Sequence, residues 1–127
     1  MIDHLGIPVG DFGRSRTFYD TALAPLGAKR LMDVTAEMTG NEEHAGFGIQ
    51  KPDFWISSGG TSAGPLHIAF QAADRASVRA FYEAAIAAGG RDNGAPGLRP
   101  HYHPNYYGAF ILDPDGHNIE AVCHLPE

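Results

Sequence analysis

A shift of 63 residues, made without a gap, lays the first half of this chain on the second, and no other feature restricts the possible folds so sharply. His4 falls on His67, Asp11 on Asp74, and Arg16-Thr17-Phe18-Tyr19-Asp20 on Arg79-Ala80-Phe81-Tyr82-Glu83. The same register runs on through Gly27 and Gly90, Phe47 and Phe110, and Ile56 and Ile119. A correspondence held from residue 4 to residue 120 implies a duplicated module, module 1 over residues 1–60 and module 2 over 64–127, within one domain spanning 1–127.

Each half carries the same order of local signals. Residues Ile2 to Val9 alternate as a strand, Asp11 offers a side-chain oxygen as a helix N-cap, and Phe18, Tyr19, Ala22 and Leu23 supply the apolar stripe of a helix closed at Gly27. The second copy runs from Leu66 to Ala72, through an Asp74 cap, to a helix stopped at Gly89-Gly90. Three strand-like stretches follow each helix, over 28–34, 43–50 and 53–58, then 91–98, 106–113 and 117–124. Asp113-Pro114-Asp115-Gly116 is a strong turn signal, and Lys51-Pro52-Asp53 is its counterpart. The expected fold is α+β: two tandem βαβββ modules forming a curved mixed sheet with helices on its outer face.

Side chains alternate along a strand, so the two faces can be separated on paper. Leu5, Ile7 and Val9 share an apolar face, and His4, Gly6 and Pro8 the other; Leu66, Ile68 and Phe70 oppose His67, Ala69 and Gln71 in the copy. In the last strand Ile119, Ala121 and Cys123 make the core face, which turns Glu120 towards the side of His4 and His67. By the 63-residue shift the partner of Glu120 is Ser57 and that of Asn118 is Trp55. Two imidazoles and a carboxylate on one face match the 2-His-1-carboxylate set, which leaves coordination positions open to a substrate. His4, His67 and Glu120 are therefore the expected ligands of one divalent metal, iron, manganese, nickel, cobalt or zinc. The plainer alternative is three histidine and glutamate side chains with ordinary packing roles; recurrence of histidine at the same strand position weighs against it.

Composition narrows the partners. The net charge of −6 and the lack of a Lys/Arg cluster argue against nucleic acid, and no apolar run spans a bilayer. One cysteine, Cys123, excludes an internal disulfide, and with no signal-peptide pattern a cytoplasmic protein is expected. A small-molecule substrate remains. Seven histidines are many for 127 residues, and four of them, His101, His103, His117 and His124, lie near the end.

The opening Asp3-His4 strand, His67 in the fifth strand, and the terminal Asp113-Pro114-Asp115-Gly116-His117-Asn118-Ile119-Glu120 stretch together resemble the vicinal oxygen chelate superfamily of glyoxalases, bleomycin-resistance proteins and extradiol dioxygenases. The resemblance covers essentially the whole chain. It implies paired βαβββ modules around a metal, a homodimer, and a substrate that binds the metal through adjacent oxygens. Glyoxalase-type lyases of that family carry a second glutamate where this chain has Ser57, which puts lyase and epimerase chemistry in doubt. The extradiol enzymes use three ligands, but their apolar-tyrosine pair is replaced here by Ala109-Phe110. Fosfomycin-inactivating relatives need a cluster for a phosphonate, for which Arg99 is the only candidate.

The segment Arg99-Pro100-His101-Tyr102-His103-Pro104-Asn105-Tyr106-Tyr107 supplies acid/base candidates, His103 and His101, and two tyrosines, Tyr106 and Tyr107, suited to orienting a substrate oxygen. A hairpin-entry loop whose rings merely cover the cavity mouth is the competing reading. Trp55, Phe110, Ser57 and Arg99 are the expected substrate contacts. His117, after a turn glycine, reads as a solvated turn residue; Cys123 reads as core; His44 and His124 carry no legible signal. The leading functional expectation is a metal-dependent dioxygenase or lyase/isomerase acting on a small oxygenated compound. The alternative is a metal-free protein that sequesters a drug or metabolite.

Overall fold

The computed structural model describes residues 1–127. Strand β1 (Leu5–Pro8) leads into helix α1 (Phe12–Ala22), and strands β2 (Lys29–Val34), β3 (His44–Gly48) and β4 (Phe54–Ser57) complete the first module. The second repeats it as β5 (His67–Gln71), α3 (Arg75–Ala87), β6 (Arg91–Leu98), β7 (Tyr107–Leu112) and β8 (Asn118–Cys123). A short helix α2 (Ala36–Thr39), capped by Thr35, lies between β2 and β3 and has no counterpart in the second half.

Both anticipated N-caps form. Asp11 Oδ1 accepts the Arg14 amide at 3.1 Å and Asp74 Oδ1 the Ser77 amide at 2.8 Å, satisfying donors that the first helical turn would leave open. The first helix ends earlier than its pattern implies. Pro25 lacks an amide hydrogen, so the chain tightens after Ala22 into a 3₁₀ turn, Ala24–Leu26, before closing at Gly27.

The strands form two four-stranded mixed sheets, ordered β1-β4-β3-β2 and β5-β8-β7-β6, rather than one continuous sheet. In each, the first strand runs parallel to the last and the other pairs are antiparallel. The helices lie against one face of each sheet, and a shared core joins the modules. Ile7, Val9, Phe18, Tyr19, Phe47, Phe54 and Ile56 pack in the same cluster as Phe81, Ala85, Ile111, Ile119 and Ala121. Phe54 meets Phe70 edge-on across the junction, with ring centroids 5.1 Å apart.

The terminal turn contributes a polar bolt to that junction. Asp113 accepts the buried Tyr19 hydroxyl at 2.5 Å and the His117 amide at 2.9 Å. Burial, together with the Asp113 carboxylate, drives the Tyr19 hydroxyl well above the ordinary tyrosine range, so it stays a donor. His117 is not a solvated turn residue. It is buried, and its Nδ1 accepts the Leu66 amide at 2.9 Å, because the turn folds back onto the start of β5. Cys123 lies in the core as expected. No helix is long and apolar enough to cross a membrane.

Candidate metal centre

The face of each sheet turned away from the helices carries the residues of interest. On the second module, His67 Nε2 stands 3.0 Å from Glu120 Oε1. Two ligands bound at right angles, each about 2.1 Å from one metal, stand about 3 Å apart, so this pair has the spacing of adjacent ligands. Glu120 is 1% exposed although it is a carboxylate, and a second donor compensates its other oxygen: the Tyr106 hydroxyl bonds Oε2. Gly108 makes room for this, since a Cβ there would lie 3.1 Å from Glu120 Oε2. Burial, reinforced by the Glu120 carboxylate, holds the Tyr106 hydroxyl well above the ordinary range, and it keeps its proton at neutral pH.

Phe110 lies beside His67 and beneath Arg99. Its ring lies 6.3 Å from that of His67, and the Arg99 guanidinium sits 5.4 Å over its face. Arg99, Phe110 and His101 line a shallow hollow of about 320 Å³ with Asn93, Gly94 and Asn118. His101 packs on Tyr102, with centroids 4.2 Å apart. His103 is tied elsewhere: its Nε2 faces His124 Nδ1 at 2.6 Å and its Nδ1 accepts the Asn105 amide at 3.2 Å. His124, silent in the sequence, is thus the partner of His103. Both rings lean edge-on against Tyr106.

Tyr107 does not join Tyr106. Neighbours on a strand point to opposite faces, so Tyr107 turns to the helix side, where Arg79 donates to its hydroxyl at 3.3 Å and the Arg75 guanidinium covers its ring. The segment supplies one tyrosine to the His67–Glu120 pair rather than two.

The first module's open face carries His4 and Trp55. They border a hollow of about 580 Å³ with Asp3, Gly6, His44, Lys51 and Pro52. His4 Nδ1 lies 2.7 Å from the Asp3 carboxylate. The ladder shows that Trp55, rather than Ser57, occupies the place corresponding to Glu120. Gly6 pairs with Trp55 and Trp55 with Gly46, whereas Ala69 pairs with Glu120 and Glu120 with Phe110. With His4 set on His67, Gly6 falls on Ala69, so β8 is displaced by two residues from the uniform 63-residue shift. Trp55 lies across Gly46, where a Cβ would come within 2.9 Å of its ring. Ser57 sits two residues further along, paired with His44.

The structure brings together His67 and Glu120 but not His4 with them; no group of three or more His, Cys, Asp or Glu side chains within the chain is placed to hold a metal.

The sequence profile of the Glyoxalase/Bleomycin resistance protein/Dioxygenase superfamily matches residues 1–121. The chain belongs to this superfamily. Among solved structures it resembles a glyoxalase/bleomycin resistance protein from Albidiferax ferrireducens T118, with a TM-score of 0.73 and 23% identity over 97% of this chain and 98% of that one. It resembles a glyoxalase I mutant from Zea mays at a TM-score of 0.72 and 24% identity, covering 95% of this chain but only 46% of that chain. A fosfomycin resistance protein, FosX, from Listeria monocytogenes, complexed with Mn(II) and sulfate, matches at a TM-score of 0.70 and 18% identity, over 98% and 93% of the two chains. These identities speak to a common fold. No curated protein matches the sequence significantly.

Proposed function

We propose that this superfamily member is a metal-dependent enzyme acting on a small oxygenated organic substrate, with one divalent metal held by His4, His67 and Glu120 at a site completed between two copies of the chain. The observation that carries the reading is the His67–Glu120 pair, at ligand spacing on an open sheet face, with a second imidazole, His4, just before β1 at the position the 63-residue shift lays on His67. His4 and His67 are both exposed, their side chains 61% and 54% accessible, so each half-site is free to meet its complement from a second copy. Strands β1 and β5 each pair on one side only, and unpaired edges of this kind favour association. The Mn(II) in the FosX structure supports the choice of a divalent ion.

When bound, such a metal polarises substrate oxygens as a Lewis acid. Tyr106 holds a proton at its hydroxyl beside Glu120, fixing the carboxylate and offering a donor to a substrate oxygen. Arg99 and Phe110 form one wall of the substrate space and Trp55 the opposite one, with Ser57 beyond it. His103 has both ring nitrogens engaged, which leaves His101 as the histidine of that loop free to meet a substrate. The reaction class is ring opening or lyase/isomerase chemistry. The competing reading, a metal-free sequestering protein, draws on the separation of His4 from the other two ligands within the chain.

Mixing decides between them. His4→Ala and Glu120→Ala chains are each expected to bind no metal, yet an equal mixture, denatured and refolded together, should recover about a quarter of the wild-type sites, because each heterodimer rebuilds one intact set. Absence of stoichiometric metal in the wild type overturns the enzyme reading; metal in the wild type without recovery on mixing overturns the shared site.

A further inference from the structure

The face that carries His4 contains two polar side chains, Asp3 and Lys51, that neither the core nor the ligand set requires. Asp3 Oδ2 lies 2.7 Å from His4 Nδ1, while Lys51 Nζ reaches Asp3 Oδ1 at 2.5 Å and the Asp3 carbonyl oxygen at 2.9 Å. Adjacent residues of a strand point apart, so Asp3 reaches His4 only because β1 begins at Leu5 and leaves residue 3 free to turn back. Lys51 belongs to the turn before β4, and the same turn receives the Leu5 amide on the Asp53 carbonyl at 2.9 Å. The end of one strand therefore fixes the residue before the other.

We propose that Asp3 is a positioning residue for His4: its carboxylate holds the imidazole as the Nδ1–H tautomer and leaves Nε2 as the metal-binding nitrogen, and Lys51 anchors the carboxylate. This rests on the reading of His4 as a metal ligand. A carboxylate can only accept, so the hydrogen between Asp3 and His4 belongs to Nδ1, and a neutral ring then carries its lone pair on Nε2. Ligating histidines are commonly oriented in this way by a carboxylate behind the ring. Lys51 Nζ occupies Oδ1 and leaves Oδ2 to accept from His4. A purely stabilising role fits poorly. The side chains of Asp3, Lys51 and His4 are 75%, 55% and 61% accessible, and ion pairs so exposed contribute little to folding. The second module solves the same problem differently, for the carboxylate touching His67 is Glu120, at Nε2.

The test uses the full-length chain. Nitrogen-15 imidazole spectra of the metal-free protein, recorded above the histidine titration range, should show His4 as Nδ1–H in the wild type and chiefly Nε2–H in Asp3→Ala. Asp3→Asn, which keeps an accepting oxygen, should retain part of the Nδ1–H form. With manganese(II) alone, Asp3→Ala should weaken binding about 10–100-fold, and Lys51→Met should weaken it less, with unchanged circular dichroism in both. A wild-type His4 already in the Nε2–H form, or a tautomer indifferent to Asp3→Ala, overturns the proposal whether or not metal binds. Unchanged manganese(II) affinity in Asp3→Ala also overturns it. A wild type that binds no metal but shows the Asp3-dependent tautomer overturns the metal reading while leaving the orientation of His4 by Asp3 standing.

Discussion

The two open sheet faces come from the same β-α-β-β-β unit and present opposite chemistry. In the second module a row of Ala69, Glu120 and Phe110 crosses the sheet, and in the first the same row is Gly6, Trp55 and Gly46. The central position is a buried carboxylate in one and an indole in the other, with a large flanking ring only where the centre is the smaller side chain. Space is conserved while charge is not, because a close-packed sheet face tolerates exchange of bulk between neighbours more readily than a void. One face thus offers an imidazole with a carboxylate, the other an imidazole with an aromatic wall. The proposed metal site, built from both, would hold three ligands rather than four and keep coordination positions open.

The largest effect expected from breaking this contrast lies on the second face. Glu120→Gln should reduce bound metal, measured by elemental analysis, from one per site to background, while Trp55→Phe should leave the stoichiometry intact. Equal loss in both variants would mean that the faces are not divided as described. Converting one face towards the other is the next step down. Trp55→Glu should place a carboxylate opposite the metal and raise its affinity about tenfold through the added ligand charge, at a stability cost of about 1–2 kcal/mol for the lost ring packing. Ser57→Glu, two residues out of register, should change affinity little. A chelator competition in which Ser57→Glu tightens binding and Trp55→Glu does not would restore the uniform shift and refute the ladder correspondence.

A smaller effect tests how the second face tolerates its buried charge. Tyr106→Phe removes the donor to Glu120 Oε2 and should cost about 1–3 kcal/mol at neutral pH, measured by denaturant unfolding. The sign with pH follows from the raised Tyr106 value. Its contribution is complete below the unfolded tyrosine value, about 10, and is lost only as pH rises from there through the higher folded value. The gap between wild type and variant should therefore be flat from neutral pH to that point and narrow above it. A gap that closes in the acid-to-neutral range would assign the stabilisation to another group.

Much of this arrangement was legible in the residues alone. The duplication, both aspartate caps, the order of elements, the core face of β8 and that of β1 at Ile7 and Val9, though not at the exposed Leu5, follow from periodicity and cap chemistry, which act over a few neighbouring residues. Glu120 and His67 could be placed on one face because strand alternation depends only on parity. The partner of Glu120 could not be identified in that way. A displacement of two residues preserves parity, so a ladder pairing Trp55 with Gly6 is indistinguishable in sequence from one that puts Ser57 there.

What tertiary structure alone decided are the features that depend on distant groups. His117 is buried because the terminal turn folds onto β5, and Tyr107, turned to the helix side by strand alternation, is covered there by two arginines of α3. His103 is engaged because His124 returns beside it at the end of β8. His4 stands apart from His67 and Glu120 because the modules join through their helix-side core, which leaves the two open faces separate. Local sequence sets which way a side chain points. Its neighbours are set by the packing of segments far apart in the chain, and that is why His4 lies apart from His67 and Glu120.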